Sequence, residues 1–193
     1  MRNSNKVRAK EIKIEFDEMT TPILQNISGP NLANVVKFFL IFSWFEYALK
    51  RAGYLKNQKD AEPDWDSFSG KINGSLSSLK NEYDEFRNAV DYLNDRPPGK
   101  QSVKKEANGT MYLVSRVSKP QGNEARVLTT YIRRIRNNLF HGGKVPFDPK
   151  RDPKLIKSAT TILKHILEID AAYEVRRCYE SGGYFWSPNL KRY

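Results

Sequence analysis

From Asn31 to Ala52, between Pro30 and Gly53, the chain carries Val35, Phe38, Phe39, Leu40, Ile41, Phe42, Trp44, Phe45 and Leu49. Proline before and glycine after such a stretch mark the two ends of a helix, with Asn31 as its capping residue. At about 100° per residue, Val35, Phe38, Phe39, Phe42, Phe45 and Leu49 lie close together, while Leu40, Ile41 and Trp44 spread the apolar surface to nearly every side. A helix that is apolar almost all round has to be buried, in a core or against a partner chain. The rest of the chain must build around it, and Phe39, Phe42 and Trp44 are expected in the core rather than as a base-stacking platform. The longest apolar stretch, Phe38 to Phe45, lies between Lys37 and Glu46. It falls short of the ~20 residues of a membrane span, so no membrane partner is expected.

Most of the remaining pattern is helical. Leu76, Leu79, Tyr83, Phe86, Val90 and Leu93 recur at steps of three and four, a single stripe that Pro97, Pro98 and Gly99 bring to an end. Glu124 to Phe140 turns Leu128, Tyr131, Ile132, Ile135 and Leu139 inward and stops at Gly142 and Gly143. A fourth helix, from about Pro153 to Cys178, packs through Leu155, Ala159, Ile162, Leu163, Ile166, Ile169 and Tyr173. Residues 57–74 read as a packed loop anchored by Trp65 and Phe68, and Asn108-Gly109 is the signal of a two-residue hairpin near 103–117. The expected fold is a single all-α domain over residues 1–193, a bundle of four to five helices with a small β-hairpin insertion. Its helical core spans 31–178. A basic, extended arm covers 1–29, where Ile12, Ile14 and Phe16 alternate with charges, and an aromatic tail with Tyr184, Phe185 and Trp186 covers 179–193.

Composition narrows the function. The 193 residues hold 33 Lys plus Arg against 22 Asp plus Glu, a net charge of +11, with 39% apolar residues to build a core. A balance this basic favours a polyanionic partner. One cysteine, Cys178, and two histidines, His141 and His165, are too few for a structural zinc site or a disulfide framework. No cofactor is expected. The amino-terminal MRNSNKVRAKEIKIEF has no apolar signal core, which points to a cytoplasmic protein.

The chemistry concentrates in Arg133-Arg134-Ile135-Arg136-Asn137-Asn138-Leu139-Phe140-His141-Gly142-Gly143-Lys144, at the end of an amphipathic helix. Asn137 and His141 are four apart and share a face. Arg136 is five before His141, about 140° round an ideal helix. The two meet within one chain only if the helix unwinds near Gly142; across two chains, Arg136 of one can face His141 of the other. A histidine can shuttle a proton near neutral pH, and an arginine can hold a phosphate through paired hydrogen bonds. Those are the parts needed to cut RNA without a metal. His141 would act as general acid or base, Arg136 would stabilise the phosphate, and the RNA's own 2′-hydroxyl would be the nucleophile. The competing reading is ordinary capping by polar residues at a helix end.

The segment RNNLFHGGK, Arg136 to Lys144, resembles the R-x4-6-H motif of the HEPN superfamily, in the form where a polar residue follows the arginine. FFLIFSWFEYALKRAGY, from Phe38 to Tyr54, and Trp65-Asp66-Ser67-Phe68 are similar to the abortive-infection (ApeA-like) branch, so the resemblance covers most of 31–178. It implies a HEPN-like helical bundle and a homodimer with two motif copies facing one cleft. It also implies metal-independent endoribonuclease activity of a toxin or phage-defence kind, with an antitoxin or other defence-system protein as partner. By position, Arg136 and His141 would be the catalytic pair, Asn137 the polar residue that orients them, and Glu46 a support for Arg136 or His141.

Around the motif, Arg133, Arg134, Lys144, Lys150, Arg151, Lys154 and Lys157 are candidates to track an RNA backbone, although a charge run is usually a solvated face. His165 lies off the apolar stripe, beside Ser158, Thr161 and Glu168, and is expected to be a solvated surface residue. The alternative to an enzyme is a catalytically silent HEPN dimer acting as an RNA- or nucleotide-binding module or partner subunit. A DNA-binding regulator is a weaker third reading, since no helix-turn-helix spacing is apparent.

Overall fold

Helix α1 (Pro30–Arg51) runs the full predicted length in the computed structural model, which describes residues 30–57, 59–140 and 147–181. Pro30 already belongs to the helix, so Asn31 lies in its first turn instead of capping it. At the far end Gly53 adopts φ +88°, a conformation open to glycine at no steric cost, and the Tyr54 N–H returns to the Leu49 carbonyl at 2.9 Å. The expected arm over 1–29, the glycine stop at Gly142 and Gly143, and Tyr184 to Trp186 lie outside the described residues.

One face of α1 is in the core and the other is not. Val35, Phe38, Phe42, Phe45, Ala48 and Leu49 are buried, whereas Val36, Phe39, Leu40 and Trp44 are exposed. Phe42 meets the expectation of a core residue; Phe39 and Trp44 do not, because α1 packs against helices on one side alone. By length and composition Asn31–Arg51 is apolar enough to cross a membrane, a weak sign that core helices share. The flanking charges on which the contrary expectation rested do not offset the apolar residues beyond them. Of its most apolar stretch, 33% is buried inside the fold.

The partner of the buried face is a helix where a loop was expected. Asp64 accepts a hydrogen bond from the Ser67 backbone N–H at 3.0 Å and another from the Ser67 hydroxyl, so it caps α2 (Trp65–Ile72). Those bonds, the side-chain one foremost, hold the Asp64 carboxyl below its ordinary value. Trp65, the first residue of α2, stacks on Phe45 at 5.4 Å and on Phe42 at 5.7 Å. Its indole Nε1–H donates to Glu46 Oε1 at 3.2 Å, which satisfies the polar end of a buried ring.

The predicted stripe from Leu76 to Leu93 is carried by two helices, α3 (Leu76–Glu82) and α4 (Asp84–Asp95), separated by Tyr83 in an extended conformation. Leu76, Leu79, Phe86, Val90 and Leu93 are buried all the same. The apolar face continues across the break, and so periodicity alone did not reveal it. Strands β1 (Lys100–Lys105) and β2 (Met111–Arg116) pair antiparallel, Lys100 opposite Arg116 and Lys105 opposite Met111. The Glu106 N–H bonds the Thr110 carbonyl, leaving Ala107, Asn108 and Gly109 as a three-residue loop with Gly109 at φ +86°, not the two-residue turn expected.

Helix α5 (Glu124–Phe140) has the predicted bounds, and Asn123 caps it by accepting from the Arg126 N–H at 2.9 Å. A buried hydroxyl pair, Ser69 Oγ to Thr129 Oγ1 at 2.8 Å, ties α5 to α2. The last predicted helix is also split, into α6 (Asp152–Glu168) and α7 (Tyr173–Glu180), by an extended Ile169 and a short 3-10 turn over Asp170–Ala172. Helix α6 is central: it packs against both α1 and α4, and α7 closes on α1. The fold is therefore all-α with one small hairpin, and the described residues form seven α-helices where four to five were expected. The additional helices come from the capped α2 and the two breaks.

Two outcomes check this account. Phe45→Ala, which empties the centre of the aromatic stack, should cost about 3–5 kcal/mol in urea unfolding. Asp64→Ala should cost about 0.5–2 kcal/mol at pH 7 through loss of the cap. Because the folded carboxyl titrates lower than the unfolded one, that stabilisation is present above the unfolded value of about 3.9 and disappears as pH falls through the folded one. The gap between wild type and variant should narrow on acidification.

Candidate functional site

The carboxyl-terminal turns of α5 lie across the middle of α1. Phe140 meets Phe39 edge to face at 5.0 Å, and the Arg136 guanidinium lies over the Phe42 ring at 5.7 Å. Arg136 Nη1 donates to Asn137 Oδ1 at 3.1 Å, so the two motif residues are already in contact. Arg136 is half-buried and Asn137 exposed. His141 and Lys144 lie outside the described residues. One turn earlier, burial pushes the Tyr131 phenol above its ordinary value, so that side chain stays neutral.

The neighbouring polar residues divide by what they touch. Arg134 donates from Nη1 to the Ser118 carbonyl at 2.6 Å and to the Pro98 carbonyl at 3.4 Å. Asn138 Nδ2 donates to the Gly99 carbonyl at 3.0 Å, and Arg151 Nη2 to the Pro97 carbonyl at 2.9 Å. These three side chains fasten the two ends of the hairpin insertion to α5 and to the start of α6. Arg134 and Arg151, expected on an RNA surface, have their guanidinium donors turned to backbone carbonyls instead. Arg133 is half-buried, while Lys150 and Lys154 are exposed beside the first turn of α6. Asp148 shapes that turn by accepting from the Lys150 and Arg151 N–H groups at 2.9 and 3.1 Å.

Glu46 has its own partner in the Trp65 indole. That hydrogen bond explains a carboxylate on an apolar helix by packing. It also places Glu46 one turn along α1 from Phe42, on which Arg136 lies.

The hollow bounded by Pro98, Ile135, Asn138 and Leu139 is about 10 Å³, at most the size of one water. What adjoins Arg136 instead is a stripe of exposed apolar side chains. Val36, Leu40 and Trp44 stand at successive turns of α1 with Phe39 and Phe140 beside them; Phe39 is 42% exposed, Leu40 52% and Trp44 36%.

His165 is not the solvated residue expected from sequence. Its side chain is only 12% exposed, its Nε2 lies 2.8 Å from Glu85 Oε1, and its ring sits against Tyr83 at 4.7 Å and Phe86 at 5.8 Å. Sequence reasoning missed this pair because its members are 80 residues apart, and no local pattern links them.

Compared with protein-family models, curated proteins and solved structures, the chain matches none.

The division among the arginines is testable. Arg134→Ala should lower stability by about 1–3 kcal/mol, because it leaves the Ser118 and Pro98 carbonyls without their charged donor. Arg136→Ala should cost no more than about 1 kcal/mol. Urea unfolding of the two variants side by side makes the comparison.

Proposed function

We propose that this protein is a metal-independent endoribonuclease of the HEPN type, a cytoplasmic toxin or phage-defence effector that works as a homodimer. The observation that carries this reading is the position of Arg136 and Asn137 beside Phe39 and Phe140, at one edge of an apolar stripe whose side chains are 36–52% exposed among the described residues. Among the described residues Val36, Phe39, Leu40, Trp44 and Phe140 are exposed, and large exposed apolar patches mark interaction surfaces. Pairing two such stripes would bury them and bring two motifs together around a shared cleft.

In this reading the 2′-hydroxyl of the RNA loses its proton and attacks the adjacent phosphorus. The 5′-oxygen leaves and takes up a proton, and the products carry a cyclic phosphate and a free 5′-hydroxyl. His141 moves the proton. Arg136 offsets charge gathering on the phosphate oxygens, and its hydrogen bond to Asn137 limits the orientations open to the guanidinium. Lys150 and Lys154 add attraction for the backbone without sequence preference.

Wild type, Arg136→Ala and His141→Ala, incubated with total RNA in excess EDTA, test the chemistry. Wild type alone should cut, leaving cyclic phosphate ends, and both variants should keep their unfolding midpoints. Cleavage by His141→Ala would overturn the mechanism, while RNA binding without cleavage by wild type would favour the silent binding module. For the dimer, light scattering at micromolar concentration should give twice the chain mass. Leu40→Glu/Trp44→Glu should give a monomer that no longer cuts.

A further inference from the structure

Along the outer side of α6, between α1 and α4, runs a groove of about 690 Å³, within the size range of small-ligand sites. Lys154, Lys157, Thr161 and Lys164 follow one another at steps of three and four on α6, so they share one face and span about 15 Å of helix axis. Lys37, from the second turn of α1, faces the same space. A shallower hollow of about 310 Å³ continues it on the α4 side and shares Lys154, Lys157 and Thr161.

The charge in this groove is one-sided. Its two carboxylates have partners outside the row of lysines: Glu85 lies 2.8 Å from His165 Nε2, and Glu168 lies 3.9 Å from Arg176. Among the described residues, none of the four lysines takes part in an ion pair. Four ammonium groups against the two carboxylates of the lining leave an excess of positive charge along a concave, low-dielectric wall. Tyr83 and Phe86 pack the His165 ring in place, and His165 in turn keeps Glu85 occupied. Thr160, Thr161 and Asn34 add neutral donors to the same lining.

We propose that the groove between α1, α4 and α6 is a binding site for a run of phosphate groups, separate from Arg136 and independent of whether the motif cuts RNA. Lysine suits this ligand as a mobile point charge with three donors, able to follow phosphates without a fixed bidentate geometry. A single carboxylate would leave most of the four lysines unused. The phosphates can belong to a nucleoside triphosphate or to an RNA backbone, and the two sources are separable by competition.

Inorganic tripolyphosphate is the first probe, titrated by calorimetry at low salt into wild type, Lys157→Glu/Lys164→Glu and, as a control of equal net charge, Lys71→Glu/Lys119→Glu. Wild type should bind, with an affinity that falls as salt rises. The groove variant should lose at least about tenfold, since two attractive charges become repulsive, while the control stays within about twofold. Matching thermal melts of the three proteins exclude misfolding as the cause, and Arg136→Ala should bind as wild type. No heat with wild type at millimolar tripolyphosphate, or equal losses in both double variants, would overturn the site. Displacement by an uncleavable 2′-O-methyl RNA alone identifies a backbone site, and displacement by ATP identifies a free nucleotide. Displacement by neither would overturn the assignment to nucleotide-borne phosphate.

Discussion

The Trp65 indole lies flat on Phe45 and against Phe42, and gives its N–H to Glu46. This contact covers part of the buried side of α1, whose other neighbours there are α6 and α7. Once α2 is stacked there, the Ser69–Thr129 hydroxyl pair brings α5 to the same side, and α6 and α7 take the adjoining part of the buried face. The side bearing Val36, Leu40 and Trp44 is left over. Glu46 therefore has a structural reason to exist whether or not the motif is catalytic. Its carboxylate satisfies an indole that would otherwise be a buried donor without an acceptor, a loss of roughly 1–3 kcal/mol.

The same residue type serves opposite ends within one turn of helix. Arg134 and Arg136 are two apart on α5 and point about 200° apart around it. Arg134 reaches carbonyls at the ends of the hairpin, while Arg136 turns to the Phe42 ring and to Asn137. The hairpin is thus held by α5 and by Arg151. An arginine-rich segment that looks uniform in sequence is divided by geometry: Arg134 fastens the hairpin, and Arg136 lies against α1. The lysines divide likewise. Lys154, Lys157 and Lys164 project from α6 into one groove, whereas Lys150 sits in the turn before it.

Much of the fold was legible because it is written locally. The bounds of α5 and the end of α1 at Gly53 agree with capping and glycine signals that a few adjacent residues carry. Helix α2 was missed because eight residues hold too few turns for a convincing period, although Asp64 three before Ser67 is a capping signature. The break at Tyr83 was invisible for a different reason, since the apolar stripe keeps its phase across it; at Ile169 it does not, because Tyr173, expected inward, is 52% exposed. At the site, the contact of Arg136 with Asn137 follows from adjacency, but the hydrogen bonds of Arg134 and Arg151 to the ends of the hairpin do not. Their acceptors, the carbonyls of residues 97, 98 and 118, lie 16 to 54 residues away.

The amino-acid sequence by itself determined the helical class, the inward stripes, the hairpin, the basic charge and the grouping of Arg136, Asn137 and His141 in one short segment. Each of these depends on residue type and on spacings of a few positions, within which backbone geometry is nearly constant. Tertiary structure alone decided which half of α1 is covered, which arginines are taken up by carbonyls, and that Glu85 and His165 meet across 80 residues beside four lysines. Burial and long-range hydrogen bonding depend on which elements come together. An apolar helix with two usable faces does not state in its own sequence which one its neighbours will choose.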